Sequence, residues 1–147
     1  MKISYFEMSY DDIETVAAME KKYFSQPWKA ESICHYKDLG NTIFLVAKDE
    51  SGRVRAYSAL MCVLDEADLV SIAVDEDFRA MGIARELLDI SYEMAGERGV
   101  KKVHLEVRES NAPAISLYES EGFARDGIRK GFYDRPREDA ILYTKEI

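Results

Sequence analysis

A strand that runs through a tight turn into a helix constrains this chain more than any other feature. Residues 69–74 form an apolar run rich in β-branched side chains, and an acidic turn follows. Residues 78–85 are rich in basic and small side chains. The apolar residues that follow them recur at the spacing of a helix. The first backbone N–H groups of a helix have no partners within it, and the helix dipole adds positive charge there. The stretch therefore predicts a phosphate site within a mixed α/β fold.

Four residues of this basic segment suit a diphosphate in particular. Gly82 and Ala84 lack bulky side chains, so a ligand can approach the backbone closely. Arg79 and Arg85 can add ion pairs to the phosphate oxygens. The spacing by itself is also compatible with a helix start that binds nothing.

Composition narrows the class of protein. The 147 residues, 47% of them hydrophobic, predict a single domain over residues 1–147 with a core of its own. No apolar run reaches the ~18 residues of a membrane span, so no membrane partner is expected. The first residues lack the apolar region of a signal peptide, which favours a cytoplasmic protein. Cys34 and Cys62 have no metal-ligand or redox spacing, so we expect buried thiols and no metal.

The net charge of −8 bears on the partners of the protein. Nucleic acid is not expected as a direct partner, because the chain has no tract of clustered lysine and arginine. An acidic surface attracts a basic peptide or a polyamine, whereas acidity can also serve solubility alone.

Periodicity and turn residues predict the order strand, two helices, three strands, helix, strand, helix and two strands. The predicted strands cover residues 2–6, 42–47, 54–63, 69–74, 102–107, 123–131 and 139–145. The predicted helices run between Ser9 and Pro27, over residues 30–39, from the basic segment to Gly96 or Gly99, and between Asn111 and Gly122. The core stripe of the first helix is assigned to Ile13, Val16, Ala17, Met19, Glu20 and Phe24.

Two polar residues in otherwise apolar elements are candidate catalytic groups. Glu106 lies inside a predicted strand, where a carboxylate is costly unless it is solvated or paired. It is therefore either a general base in a cleft or one half of a salt bridge. Tyr118, in an apolar helix, either directs its phenol at a leaving group or packs in the core with its hydroxyl bonded to a backbone carbonyl. Asn111 caps that helix and can also contact a ligand.

Longer motifs connect these residues to a known family. Residues 105–111 and 114–123 resemble the second signature of the GNAT superfamily of N-acetyltransferases. They most resemble its RimI branch, the ribosomal-protein-alanine N-acetyltransferases. The pattern Arg79-x-x-Gly82-x-Ala84 resembles the pyrophosphate loop of the family. Further matches are residues 63–67, residues 72–78, Pro27-Trp28, and Tyr133 followed by Glu138-Asp139-Ala140.

Three positions depart from the family pattern. Met81 and Ala84 stand where the family often has Arg and Gly. His104 stands where the RimI branch tends to have an aromatic residue, which leaves open whether this histidine assists or replaces Glu106.

The resemblance implies an α/β (α+β) architecture, the GNAT fold. This fold is a single mixed, mostly antiparallel sheet of six to seven strands, with helices on both faces and a central strand splayed by a bulge. It also implies acetyl-CoA as co-substrate, whose pantetheine arm pairs with the opened strand and whose diphosphate lies on the basic segment. The residues implied in binding it are Ile72, Ala73, Val74, Arg79, Ala80, Met81, Gly82, Ile83, Ala84, Arg85 and Asn111.

The reaction implied is transfer of acetyl to the N-terminal α-amine, an alanine, of a small-subunit ribosomal protein with a basic N-terminus. By this resemblance Glu106 takes the amine proton, directly or through a water, and Tyr118 donates to the departing thiolate. Trp28 would wall the acceptor slot and Tyr133 would hold the peptide backbone. The acidic residues that could meet the basic tail are Asp65, Glu66, Glu138 and Asp139.

Three alternatives remain at this point. The same fold can acetylate a lysine side chain, a polyamine or another small amine. The chain can also be a non-catalytic acyl-CoA-binding module, although the presence of both Glu106 and Tyr118 argues against it. Finally, the basic segment can bind a different nucleotide.

Overall fold

Seven strands and four helices make up residues 2–147, which the computed structural model describes. The strands are β1 (Ser4–Glu7), β2 (Thr42–Lys48), β3 (Val54–Val63), β4 (Glu66–Val74), β5 (Lys102–Arg108), β6 (Ala124–Tyr133) and β7 (Glu138–Glu146). The helices are α1 (Ile13–Tyr23), α2 (Ala30–Leu39), α3 (Ile83–Glu97) and α4 (Ala112–Ser120). The predicted order of strands and helices is confirmed.

All seven strands belong to one sheet, in the order β1-β2-β3-β4-β5-β7-β6. The pair β4–β5 is parallel, and the other neighbouring pairs are antiparallel. The parallel pairing joins residues 66–69 to residues 102–105 and goes no further along either strand. The prediction of a mixed, mostly antiparallel sheet is confirmed, and its two central strands separate beyond Leu69.

A bulge in β4 lies next to the point of separation. Ala59 of β3 pairs with Ser71 and Leu60 pairs with Leu69, so Val70 is an extra residue without a partner on β3. One inserted residue reverses which face each later side chain occupies. Leu69 packs into the core on one face of the sheet, whereas Ala73 packs into the core on the other face. The predicted bulge in the central strand is confirmed.

Helices cover both faces of the sheet, as predicted. Helices α3 and α4 pack on one face, where Leu87 is fully buried, and α1 and α2 pack on the other, where Ile33 is fully buried. Strand β2 serves both cores because its side chains alternate between them, Leu45 with the first and Val46 with the second. Within residues 2–147 no helix combines the length and apolar character that crossing a membrane requires.

Candidate active site

The separation of β4 from β5 opens a cleft of about 1130 Å³. Its walls come from the loop between α1 and α2, the second half of β4, the start of α3, the end of β5, α4, and the turn between β6 and β7. Clefts at such splits are common ligand sites, because backbone groups there lack strand partners. The predicted site residues can now be located against these walls.

The start of α3 forms one end of the cleft. Gly82 is the N-cap and has the left-handed φ of 80°, a conformation that favours glycine. No side chain of residues 2–147 caps this helix end, so its first N–H groups point outward unpaired. The residues of the segment 78–85 that line the cleft are Phe78, Arg79, Ala80, Gly82, Ile83, Ala84 and Arg85. Met81 is the exception, since its half-exposed side chain lies outside the lining.

The two arginines of the segment already have protein partners. The Nε of Arg79 donates to the carbonyl oxygen of Val74 at 3.0 Å. Arg85 donates from Nη1 to Oε2 of Glu121 at 2.7 Å and from Nη2 to Oγ of Ser120 at 2.9 Å. These contacts direct both guanidinium groups along the walls, and each keeps N–H groups that can serve an anion.

The free edge of β4 forms the middle of the cleft. Ile72, Ala73 and Val74 line it. They pair with β3 on one side, and no strand in the described chain pairs with them on the side of β5. Backbone groups on that side are available to a ligand that adds an extended segment to the sheet.

Glu106 lies on β5 immediately past the last residue that pairs with β4, and it lines the cleft. Its Oε1 is 3.3 Å from Nη1 of Arg129, a side chain that is 54% exposed. The ion pair considered for Glu106 is therefore present, and the same residue lines the cleft, while its role as a general base stays a prediction.

Tyr118 lines the same cleft from α4 and is 6% exposed. Its ring packs edge-on against Phe123, with 5.7 Å between centroids. Within residues 2–147 its hydroxyl makes no hydrogen bond, so the alternative of a phenol bonded to a backbone carbonyl does not hold in this structure. Burial raises the pKa of Tyr118 well above its ordinary value, which keeps the phenol protonated.

Asn111 caps α4, where its Oδ1 accepts the N–H of Ala114 at 3.2 Å. It also lines the cleft, so capping and contact with a ligand remain compatible.

The opposite end of the cleft has aromatic walls. Trp28 stacks on Tyr36 at 5.3 Å between centroids and meets Phe44 edge-on at 6.2 Å. Tyr133 lines the cleft from the last position of β6. Burial, with a smaller contribution from the charge of Glu106, raises the pKa of Tyr133 to about 12. Both of these predicted acceptor residues therefore line the cleft.

Glu138 does not line the cleft, and neither do the other acids predicted to meet the basic tail, Asp65, Glu66 and Asp139, whereas Trp28 and Tyr133 do. Its Oε1 is 3.3 Å from Nη1 of Arg108, and its Oε2 accepts the N–H of Ser110. The bond from Ser110, with help from Arg108, lowers the pKa of Glu138. The Glu138 carboxylate therefore holds Arg108, which lines the cleft, without lining the cleft itself.

His104 lies outside the lining of the cleft. Its Nδ1 is 2.8 Å from Oγ1 of Thr144 and its Nε2 is 2.7 Å from Oε1 of Glu66. Both ring nitrogens are thus engaged on the strands beside β5, which favours Glu106 as the base.

Arg108 and Glu20 line the cleft and were not among the predicted site residues. Arg108 donates to the carbonyl oxygens of Pro136 and Asp134, each at 2.9 Å, and to Oγ of Ser25 at 3.1 Å. It joins the β6–β7 turn to the loop after α1. In the sequence, Arg108 could have been found because it alternates with Glu106 along one strand and so shares its face. Glu20 could have been found because it is a charged residue within an apolar helical stripe.

Comparison with known proteins agrees with this geometry. The model of the acetyltransferase (GNAT) family matches residues 11–123. The ribosomal protein bS18-alanine N-acetyltransferase of Escherichia coli K12 is 36% identical over 138 residues, which span 92% of each chain. The enzyme of the same name from Haemophilus ducreyi is 32% identical over 134 residues, 89% of this chain and 91% of the relative. The crystal structure of the ribosomal-protein-S18-alanine N-acetyltransferase from Escherichia coli superposes with a TM-score of 0.90 at 32% identity, covering 99% of this chain and 94% of that one.

A split parallel pair beside an uncapped helix start, together with a family match over most of the chain, defines the class. The chain belongs to the GNAT family of acetyltransferases. The relatives at 36% and 32% identity are enzymes that act on the alanine of ribosomal protein bS18.

Proposed function

We propose that this protein transfers an acetyl group from acetyl-CoA to the α-amine of an N-terminal alanine, in a small-subunit ribosomal protein of the bS18 type. The observation that carries the proposal is that Glu106 and Tyr118 line one cleft with the uncapped start of α3. The names of relatives that cover nine-tenths of the chain supply the acceptor. This reaction belongs in the cytoplasm, where ribosomal proteins are made.

Acetyl-CoA fits the shape and the free polar groups of the cleft. The diphosphate binds the unpaired N–H groups at the start of α3, with Arg79 and Arg85 beside it. The pantetheine arm lies along the open edge of β4 at residues 72–74 and pairs with its backbone. Asn111 contacts the cofactor toward its reactive end. The thioester then lies between the walls that carry Glu106 and Tyr118.

The chemistry requires two proton movements. An α-amine has a pKa of ~7.7–8.0, so much of it is protonated at neutral pH and cannot attack. Glu106 takes the proton, directly or through a water, and the amine nitrogen attacks the thioester carbonyl carbon. The attack forms the new C–N bond, and when the tetrahedral intermediate collapses the C–S bond breaks and the nitrogen gives its remaining surplus proton to solvent. Tyr118, protonated because of its raised pKa, donates to the departing sulfur.

The acceptor peptide enters between Trp28 and Tyr133. Arg108 and Glu138 hold the turn that directly follows Tyr133, so they shape this entrance without reaching the thioester. The net charge of −8 attracts a basic N-terminal tail toward the surface of the protein.

The test is the position of the product. A peptide with the first residues of a bS18-type protein, an N-terminal alanine and an internal lysine is incubated with acetyl-CoA and sequenced by mass spectrometry. We expect the acetyl group on the α-amine. The same peptide with a blocked N-terminus is the control and should remain unmodified. Acetyl on the lysine of either peptide would replace this proposal with lysine acetylation.

A further inference from the structure

Glu20, in the last turn of α1, is a buried carboxylate in the wall of the cleft. It is 4% exposed. Its Oε1 accepts the backbone N–H of Trp28 at 3.0 Å, and its Oε2 accepts hydrogen bonds from the hydroxyls of Tyr57 and Ser71. No basic side chain within residues 2–147 forms a salt bridge with it. Such a group is costly to bury, and these donors are what compensates the cost.

The three donors belong to three different segments of the chain. Trp28 lies in the loop that walls the acceptor end of the cleft. Tyr57 lies on β3, and Ser71 follows directly after the bulged Val70 on β4. Glu20 therefore connects the acceptor wall to the strand at the position where β4 leaves β5.

We propose that Glu20 is a positioning residue for the acceptor, which fixes the distance between the Trp28 wall and the bulged strand. This inference rests on the proposed function and extends it to the slot that receives the first residue of the peptide. Ser71 precedes residues 72–74, the edge assigned to the pantetheine arm, so the same bonds set the acceptor against the thioester. None of these three hydrogen bonds involves the start of α3, which would hold the diphosphate.

The test separates the two substrates. In Glu20→Gln the amide keeps the shape of the side chain but turns one acceptor into a donor, which opposes the Trp28 N–H or a hydroxyl. We expect kcat/KM for the acceptor peptide to fall by about tenfold or more. The KM for acetyl-CoA should stay within about twofold of the wild-type value, because the diphosphate site is unchanged. Ser71→Ala removes one donor and should shift the peptide kcat/KM in the same direction by less.

Asp12→Asn is the matched control. Asp12 is equally buried at 6% exposure, accepts the N–H of Ser9 and pairs with Lys48, but it lies outside the cleft. It should lower the melting temperature and leave both KM values near those of the wild type. If Glu20 had only a structural role, Glu20→Gln would behave like Asp12→Asn, with a lower melting temperature and both KM values near those of the wild type.

Three results would overturn the inference. Wild-type peptide kinetics in either the Glu20 or the Ser71 variant would remove the positioning role, as would equal losses for peptide and acetyl-CoA. If Glu20→Gln does not fold, Ser71→Ala decides the question alone. A wild-type enzyme that does not acetylate an α-amine overturns the proposed function together with this inference, whereas an active wild type with unaffected variants overturns only the inference.

Discussion

Glu106 combines an ion pair with access to a cleft, and this combination separates it from the other acids of the chain. Its partner Arg129 is 54% exposed and belongs to β6, beyond β7 in the sheet. An exposed pair of this kind contributes little to stability, typically ~0–1 kcal/mol. Stability therefore gives no strong reason for a carboxylate at this position, whereas proton transfer does.

Replacing Glu106 by Gln should lower kcat while acetyl-CoA still binds. The amide cannot accept the amine proton, and a positioned base is worth ~10²–10⁴-fold in rate. Steady-state kinetics with an N-terminal alanine peptide, and calorimetry with acetyl-CoA, measure the two effects. Glu109→Gln, an exposed acid just beyond the end of β5, is the control and should retain activity. Full activity in Glu106→Gln would assign the proton to a water.

Replacing Tyr118 by Phe should slow transfer and leave packing intact. The ring fills the same space against Phe123, and only the donor to the sulfur is lost. A loss of ~10²-fold or more in kcat is expected. Tyr92→Phe is the matched control, because its hydroxyl is also buried without a partner in the described chain but lies outside the cleft. Equal rates for the two variants would reduce Tyr118 to a packing residue.

The start of α3 shows how one element combines a backbone requirement with the proposed binding of the diphosphate. Gly82 turns the chain through a left-handed conformation, and a Cβ there would meet no atom within 4 Å. The requirement is therefore conformational rather than spatial. The helix that begins here is anchored by Leu87 and Leu88, both almost fully buried, so the unpaired amides are held on a rigid base.

Gly82→Ala should destabilise the protein by about 1–2 kcal/mol, the cost of a left-handed alanine. It should also raise the KM for acetyl-CoA, since the amides shift if the turn relaxes. Gly96→Ala, later in the same helix and also free of neighbours within 4 Å, should instead stabilise by about 0.5–1 kcal/mol. Thermal unfolding with and without acetyl-CoA measures both effects. A Gly82 variant as stable as the wild type would show that this φ is not required.

At the scale of the whole molecule, buried tyrosines make the fold sensitive to alkaline pH. Burial raises the pKa of Tyr57, Tyr92, Tyr118 and Tyr133, because the charged phenolate is poorly solvated inside the protein. These side chains lie in both cores or in the cleft between the walls, so their ionisation opposes the packing of the entire sheet.

Stability should therefore fall as the pH rises through the window between the ordinary tyrosine pKa of 10.0 and the folded-state value of about 12 for Tyr133. The sign follows from linkage: below 10 both states are protonated, and above it the unfolded chain releases protons that the folded protein retains. Denaturant unfolding at a series of pH values measures the decline. Tyr133→Phe should show a shallower decline, and an identical slope would mean that Tyr133 does not contribute.

Much of the fold followed from local signals. Alternation and helical spacing predicted every strand and helix in order, because each pattern depends only on residues that are a few positions apart in the sequence. Glu106 and Tyr118 stood out as polar groups in apolar elements, and the cleft brings them together. The resemblance to a family added the single mixed, mostly antiparallel sheet, the bulge and the co-substrate, which periodicity does not supply, whereas the order of the strands came from the structure.

The amino-acid sequence by itself determined the elements, the helix start that favours an anion, and two of the polar residues of the cleft, Glu106 and Tyr118. Only the tertiary structure decided that Glu20 joins three segments, that Arg108 and Glu138 brace the turn between β6 and β7, and that Met81 lies outside the lining. The reason is physical, since these roles depend on partners far apart in the chain. Glu20 and Ser71, for example, are 51 residues apart and meet only after β4 has bulged and α1 has packed on the sheet.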